Sequence, residues 1–395
     1  MDKNKSSYKL KGLPPIYYLN LDEQPERAEY MEGQFKYWEI EDYTRISAYD
    51  GRDGRDLGDI LKKVSYRPAV LPLAGVHRPH MTVKESIRHS INSILTPPYS
   101  NLYGVLEFLV FRQWLDQSKV TDFPKMDCYA CGKEMKLPRG RQIFECPNPS
   151  CKHEHFLSDY LQIAQTGSDD WSKEDAATAM MSVMEHLSIL EIPVKCVKES
   201  RCDALKQFLF IKDGPLLLRA ALSRLVEPIR DFIQWLKEQG VGFYLVGVEK
   251  SGDFANFINE QKDIFADSEG NLLTGSYFIP SVKFLLEEVS GQTYNPATYR
   301  NRVHYGAKVG VALSERHLVV LNVPTGNFLT DPTCADLIGF DNIVCVLKGL
   351  VSASYSNAII PLVLANQAVS LSYEPSGSIL TQFVDDILDK SKGAA

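Results

Sequence analysis

Four of the eight cysteines in the chain lie close together, in two short pairs. Cys128 and Cys131 form a C-x2-C pair, and after a 14-residue gap Cys146 and Cys151 form a C-x4-C pair. Two such pairs, joined by a spacer of hairpin length, can bring four thiolates together in a tetrahedron around one zinc ion. The spacing therefore predicts a small zinc-ribbon insertion over about 123–157. A closed four-cysteine site leaves no open coordination position, so it predicts a structural role and not a catalytic one.

Two alternatives to this ligand set stay open from the sequence. His153 and His155 follow the second pair closely and could replace one cysteine, although four cysteines are the simpler set. The other alternative is four unrelated reduced thiols.

Composition excludes several classes of protein. The 395 residues carry a formal net charge of −7, which argues against a protein that coats nucleic acid by bulk charge but leaves a local basic channel possible. No apolar run reaches the roughly 18–20 residues of a membrane span. The first residues are polar and basic, without the apolar segment of a signal peptide. We therefore expect a cytoplasmic protein with no membrane partner.

The order of elements predicts the fold class. Strands are predicted at 16–21, in a stretch that ends in 48–51, and at 69–76, 208–211, 242–248, 317–323 and 342–347; helices are predicted at 82–95, 101–117, 172–190 and 220–239. Strands that alternate with helices predict an α/β sheet covered by helices. The run 208–211 is continuously apolar, which predicts a buried strand.

Three acidic residues stand at positions where a metal site is expected. Asp213 and Asp50 each follow a predicted strand, and open α/β sheets place their ligands at strand ends. Glu185 lies in an otherwise apolar helical stretch, where a buried carboxylate is costly unless it is paired or bound to a cation. Carboxylates that converge at a sheet edge would hold Mg²⁺ or Mn²⁺. The alternatives are a turn-forming Asp213 and a solvated face at Glu185.

An ordered series of segments resembles the NurA-type nucleases, partners of the HerA-type hexameric ATPase. The segments are FLSDYLQI at 156–163, MMSVMEHL at 180–187, FIKDGPLL at 210–217, VGVEKSGDF at 246–254 and NAIIPLVLANQA at 357–368. The resemblance covers about 59–395. It implies an RNase H-like mixed sheet flanked by helices, a manganese-dependent nuclease site, and a dimer that docks on the ATPase ring.

The resemblance also implies roles for individual residues. Asp213 matches the acid of the family's Asp-Gly-Ser/Pro-Leu motif, a metal ligand, and Glu185 matches the acid of the helix beside it. Lys250 would contact the scissile phosphate, with a surface lysine as the alternative. Asn366 stands where many members have a histidine. The family's first Asp-Gly-Ser motif is matched by Asp50, which is followed by Gly and Arg instead of Gly and Ser.

Residues 1–58 carry a different resemblance. The stretches IYYLNLDEQPER at 16–27 and RISAYDG at 45–51 are similar to the opening of the sugar-nucleotide domain of family 25 glycosyltransferases. This segment is either a fused fragment or the first strand of the nuclease sheet. The leading hypothesis is a DNA nuclease that processes DNA ends, in repair or anti-phage defence, with Mn²⁺ or Mg²⁺ bound by Asp50, Glu185 and Asp213. The alternatives are a catalytically inactive assembly subunit and a glycosyltransferase.

Overall fold

The computed structural model describes two units of the chain. The described residues are 16–21, 29, 32–33, 36, 43–48, 81–97, 100–116, 118, 120, 123–164, 173–295, 303–351 and 358–371. The first unit is Met1–Pro68 and the second is Ala69–Ala395.

The first unit contains two parallel strands, β1 (Ile16–Leu21) and β2 (Tyr43–Ala48). Both were expected from the sequence. They pair in register from Ile16 opposite Tyr43 to Leu21 opposite Ala48, and they form a two-stranded sheet. Asp50 and the strand expected at 69–76 lie outside the described residues.

The ribbon, residues 123–157, consists of two small antiparallel hairpins. Strand β3 (Lys125–Asp127) pairs with β4 (Glu134–Lys136), and β5 (Ile143–Glu145) pairs with β6 (Glu154–Phe156). In β3, β4 and β5 only the middle residue is buried. A hairpin that buries one side chain per strand has little core of its own, so it needs another source of stability.

A five-stranded mixed sheet forms the centre of the second unit. Its strands are β7 (Leu209–Asp213), β8 (Tyr244–Glu249), β9 (Tyr277–Phe278), β10 (Ala307–Ser314) and β11 (His317–Val323). The spatial order is β7-β8-β11-β10-β9, in which β7 and β8 are parallel and the other neighbours are antiparallel. The parallel pair places Asp213 opposite Val248, so both strands end at the same edge of the sheet.

Seven helices accompany the strands in the described part of the second unit. They are α1 (Val83–Leu95), α2 (Leu102–Val110), α3 (Lys173–Lys198), α4 (Val226–Glu238), α5 (Asp253–Glu260), α6 (Phe340–Lys348) and α7 (Ile360–Leu371). Short 3-10 turns lie between them, and a single turn at Val282–Phe284 continues into a π-helix at Leu285–Val289. Thr82 caps α1 through a reciprocal capping box with Glu85. Within the described residues, no helix combines the length and the apolar character needed to cross a membrane.

Both faces of the sheet are covered by helices, as the α/β class requires. Val246, Val248 and Leu321 pack in one core with Phe340 and Leu347 of α6. The opposite face packs against α5 through Val320, Phe254 and Ile258. A third core joins α2, α3 and α4 to Leu245. The predicted α/β sheet flanked by helices is confirmed at this level.

Two sequence predictions about elements were wrong. The stretch expected as a strand at 342–347 is helix α6, because Phe340, Ile343, Val344 and Leu347 recur at helical spacing and are buried on one face. Strand β7 was expected to be buried, but it is an edge strand whose residues are half-exposed. Its apolar run is covered by helices on the two faces, and its outer edge pairs with no described strand.

Candidate metal centre and candidate active site

The four cysteines of the ribbon meet at one point. Cys128 Sγ lies 3.7 Å from Cys151 Sγ, and Cys131 Sγ lies 3.7 Å from Cys146 Sγ. All four sulfurs lie within 4.8 Å of one another. Sulfurs at about 2.3 Å from a tetrahedral zinc ion are about 3.8 Å apart, so this spacing fits a metal and is too wide for disulfides. The four side chains can therefore hold a metal ion, as the spacing in the sequence predicted.

The backbone around the cysteines is shaped as metal-binding turns. The residue after each pair, Gly132 or Lys152, has a positive φ of 70° or 48°, which turns the chain back over the sulfurs. The Ala130 amide donates a hydrogen bond to Cys128 Sγ at 3.4 Å. The pKa of Cys131 is lowered to about 6, because the Lys133 backbone amide and the Asn148 side chain donate to its sulfur. Backbone hydrogen bonds lower the pKa values of Cys146 and Cys151 less than burial and the neighbouring cysteines together raise them, so of these three thiols Cys131 alone is predisposed to the thiolate form without a bound cation.

A buried chain of polar groups joins this cluster to α1. His155 Nε2 lies 3.3 Å from Cys128 Sγ, and its Nδ1 lies 3.4 Å from Asp159 Oδ2. Asp159 accepts two hydrogen bonds from Arg88 of α1, at 3.0 and 2.6 Å. Burial alone would raise the pKa of Asp159, but the hydrogen bonds from His155 and Arg88 lower it. The ribbon is therefore attached to the helical body by a charged pair that water does not reach.

The histidine alternative is not needed to complete the metal-binding group. The described group consists of the four cysteines, and His155 lies against one of them instead of replacing it. His153 Nε2 is 2.8 Å from Arg88 Nη1. A histidine held by a carboxylate beside a ligand is a common way to fix that ligand in place.

Three carboxylates surround the carboxyl end of β7 and β8, and each is paired with a lysine. Lys212 Nζ lies 3.3 Å from Glu185 Oε2, Lys250 Nζ lies 2.9 Å from Asp213 Oδ2, and Lys308 Nζ lies 2.6 Å from Glu249 Oε2. We name this group, with Asn322, the strand-end cluster. Its members come from α3, β7, the end of β8, β10 and β11.

Two glycines shape the backbone at the strand end. Gly214 follows Asp213 with a φ of 86°, a conformation that other residues rarely adopt. Its carbonyl oxygen passes so close to Gly247 of β8 that a Cβ there would lie 2.5 Å from it. Gly214 also donates a hydrogen bond to the Val248 carbonyl. The Asp-Gly-Pro turn thereby leaves Asp213 exposed as the last residue of its strand.

Glu249 is the buried acid of the cluster. It is 6% exposed, and its second oxygen accepts a hydrogen bond of 2.6 Å from the Asn322 amide. Asn322 is completely buried, and its Oδ1 has no hydrogen-bond partner. A buried ion pair costs several kcal/mol of desolvation per ion, which its mutual attraction offsets only in good geometry. The sequence analysis missed Glu249, although it directly precedes Lys250 at the end of an apolar strand.

Glu185 and its neighbour His186 face different surroundings on α3. The Glu185 side chain is 46% exposed, so the helix face was solvated and not buried. His186 is buried, with Nδ1 2.6 Å from the Ser182 carbonyl and its ring against Tyr305. Burial lowers the pKa of His186 to about 4, and the nearby Lys212 adds to this effect. His186 therefore stays neutral at pH 7 beneath the exposed acid.

The predicted site residues are brought together only in part. Lys212 Nζ lies beside the Glu185 carboxylate and also donates to the backbone carbonyl of Asp213 at 2.8 Å, whereas the Asp213 carboxylate is paired with Lys250; no described contact joins the two carboxylates. Lys250 is in the same cluster. Asn366 is exposed on α7, and no described hydrogen bond or ion pair links it to these residues.

The strand-end cluster does not by itself form a complete divalent-cation site. Among the described residues, the four cysteines are the one group of three or more histidine, cysteine or acidic side chains close enough to hold a metal. The carboxylates have the oxygen chemistry that Mg²⁺ and Mn²⁺ prefer, but lysines lie beside them. In comparisons with known proteins, no protein-family model, no curated protein and no solved structure matches this chain.

Proposed function

We propose that the chain is a metal-dependent DNA nuclease whose site is the strand-end cluster. The observation that carries the proposal is the exposed Asp213 side chain at the carboxyl end of the parallel pair β7 and β8, with Glu185 held by the neighbouring Lys212; these are the two acids that the NurA resemblance assigns to the metal. An exposed acid at the carboxyl end of a parallel strand pair is also where α/β sheets bind their ligands. Asp50 remains a proposed third ligand, and Asn366 a proposed further site residue.

In this proposal the chain supplies ligands and compensating charge. A bound Mn²⁺ or Mg²⁺ would polarise the scissile phosphate and lower the pKa of a water molecule. Glu185 and Asp213 offer the oxygen ligands that such cations prefer. Lys250 and Lys212, now paired with these acids, are close enough to neutralise phosphate oxygens once the acids bind the cation. Asp213 is exposed, so a phosphate backbone can reach it.

Several finer features belong to the same proposal. The mixed strand directions, with one parallel pair beside antiparallel strands, support an RNase H-like sheet. Four sulfur ligands at tetrahedral spacing support zinc as the ion of the ribbon. All eight cysteines are free, which supports the cytoplasm as the compartment. The HerA-like ATPase and the homodimer rest on the resemblance.

A second candidate is a catalytically inactive subunit that binds DNA and the ATPase. The pairing of all three acids with lysines favours it, because each carboxylate is already neutralised without a metal. The glycosyltransferase alternative is supported only by the first unit, whose parallel strands β1 and β2 are compatible with it.

Cleavage of labelled DNA tests the proposal. Purified protein is incubated with single- and double-stranded DNA, with added Mn²⁺ or Mg²⁺ and without them, in the absence of chelators that would strip the ribbon. We expect cleavage that needs the added cation, and a loss of at least ~100-fold in Asp213→Asn. Asp203→Asn is the matched control, since it is the same substitution at a fully exposed aspartate that pairs with Lys206, outside the cluster.

The outcomes separate the candidates. Cleavage by the wild type and by Asp203→Asn, but not by Asp213→Asn, supports the nuclease. Absence of cleavage by the wild type on both substrates and with both cations, in protein that still binds DNA, means that the inactive subunit is the right description. Equal cleavage by Asp213→Asn and the wild type would remove Asp213 from the site.

A further inference from the structure

We propose that the tip of the ribbon, residues 138–141, binds the phosphate backbone of DNA. The proposal takes DNA as the ligand from the proposed function, but it concerns a surface outside the strand-end cluster. The tip presents Arg139 and Arg141 on either side of Gly140, and all three residues are exposed. Neither arginine makes an ion pair or hydrogen bond with any described residue, in contrast to the lysines of the strand-end cluster.

The ribbon holds the two arginines in a defined position. At one end of the tip, the buried Leu137 donates its amide to the Pro124 carbonyl at 2.9 Å. At the other end, Gln142 accepts from the Leu157 amide and donates to Asn92 of α1. Gly140 turns the chain between them with a φ of 72°. The fixed ends limit where the two guanidinium groups can lie, and each guanidinium offers a planar fork of donors that matches phosphate oxygens.

The local charge differs in sign from that of the whole chain. Residues 133–152 contain five Lys or Arg against two Glu, whereas the chain carries a net charge of −7. Zinc with four thiolates would carry a charge of about −2. A three-residue strand, about 10 Å long, separates the tip from the nearest cysteine on each side, which is about one Debye length at 0.1 M salt. The arginines therefore form a local positive end on an acidic protein.

The surface beside the tip has the character of a single-strand binding surface. Lys136 is exposed and its ammonium lies 6.0 Å from the centroid of the Phe123 ring, which is 39% exposed. Ile143, at the start of β5, is 50% exposed. Cations interleaved with an exposed aromatic ring are typical of proteins that hold single-stranded nucleic acid through its backbone and stack its bases. Single-stranded DNA is therefore the form we expect to bind.

Fluorescence anisotropy with a labelled 30-nucleotide single strand tests this surface. The full chain carrying Asp213→Asn is used as the parent, so that binding is read without cleavage, and no chelator is added. The test variant adds Arg139→Ala and Arg141→Ala. The matched control adds Lys195→Ala and Arg201→Ala, which remove the same charge from two exposed side chains that already contact Glu199. Zinc content and circular dichroism confirm that each variant is folded.

We expect the test variant to bind about 10-fold more weakly than the parent at 0.1 M salt, and the control to stay within about 2-fold. The slope of log K against log salt should fall by about 1.4 for two lost contacts to a single strand. Arg139→Lys with Arg141→Lys keeps the charge and should retain most of the affinity.

Other results overturn the proposal. One is that the parent does not bind the single strand at all, and another is that the test and control variants lose the same DNA affinity. A third such result is a test variant that binds DNA normally but no longer binds vesicles rich in phosphatidylserine. The last result would assign the tip to an anionic membrane surface. Failure of the wild type to cleave DNA leaves this binding result unaffected, so the two proposals fail independently.

Discussion

The sulfurs of the ribbon come from 24 consecutive residues, whereas the carboxylates and lysines of the strand-end cluster come from elements between residues 185 and 308. The ribbon brings four like groups within 4.8 Å of one another with no cation among them. The strand end places a lysine beside every acid. The first arrangement therefore offers ligands that a metal can join, while in the second each acid already has a cationic partner.

This difference has a consequence for stability. Each ribbon hairpin buries little apolar surface of its own, so we expect a metal held by the four cysteines to contribute to its stability beside the packing of its buried residues on the helical core. The strand end sits on a sheet whose two faces are already covered by helices. Metal removal should therefore unfold the ribbon and leave the strand end intact.

The largest expected effect is the loss of one buried ribbon cysteine. We expect Cys146→Ser to lower zinc content from about one equivalent to near zero and to open 123–157 to proteases, because structural zinc contributes about 10–16 kcal/mol in small domains. Metal analysis and limited proteolysis measure this. Cys345→Ser, at an exposed thiol on α6, is the control and should keep its zinc. Wild-type protein with less than about half an equivalent of zinc would contradict a ribbon that depends on zinc.

The next effect concerns the buried pair of the strand end. Lys308→Met leaves the Glu249 carboxylate buried without its cation, which should lower the free energy of unfolding by about 3–5 kcal/mol. Urea denaturation measures the change. Adding Glu249→Gln removes the unpaired charge and should recover part of the loss. A single variant as stable as the wild type would mean that the acid is more solvated than its 6% exposure indicates.

A smaller effect follows from the buried His186. Its pKa is lowered from 6.5 to about 4 by burial, so as the pH falls the unfolded chain takes up the proton first. The stability contribution is therefore full above about pH 6.5 and is lost towards pH 4. Between pH 7 and pH 5 the loss from this group is about 2 kcal/mol.

His186→Leu tests the origin of that pH dependence. The variant loses the hydrogen bond to Ser182, but its stability should fall by about 2 kcal/mol less than that of the wild type over the same pH range. Denaturation curves at both pH values are compared between the two proteins. Both carry the same ribbon, so zinc release at low pH affects them equally. An identical pH dependence would show that folding does not lower the pKa of His186.

The two regions also differ in how far the sequence predicts them. The metal-binding group of the ribbon can be predicted from the cysteine spacing. Its four ligands lie close together in the sequence, and two short cysteine pairs have few arrangements other than a tetrahedral metal site. At the strand end, Asp213 is marked by its Asp-Gly-Pro turn, whereas Glu249 is buried only because β10 and β11 bring Lys308 and Asn322 beside it. No local pattern contains that contact.

The errors at the level of the fold have the same physical origin. A short apolar run does not distinguish a strand from a helix, so 342–347 was predicted as a strand, although Phe340 and Leu347 complete a helical stripe. The apolar run at β7 predicts a strand, but it does not predict that the strand lies at the edge of the sheet. That position depends on the pairing of β7 with β8 on one side only, among the described strands.

The smallest expected change in stability is at the exposed pair of the strand end. Lys250 and Asp213 lie 2.9 Å apart with side chains 28% and 49% exposed, so solvent screens their attraction. Lys250→Met should therefore change the free energy of unfolding by less than about 1 kcal/mol, several-fold less than Lys308→Met in the same cluster. Urea denaturation of the two variants side by side measures the ratio. Equal losses of unfolding free energy in the two variants would mean that both pairs are equally shielded from solvent and that the strand-end cluster has a structural role. A small loss at Lys250 leaves Asp213 free to exchange its lysine for another cation, which is the property that a metal site at this position requires.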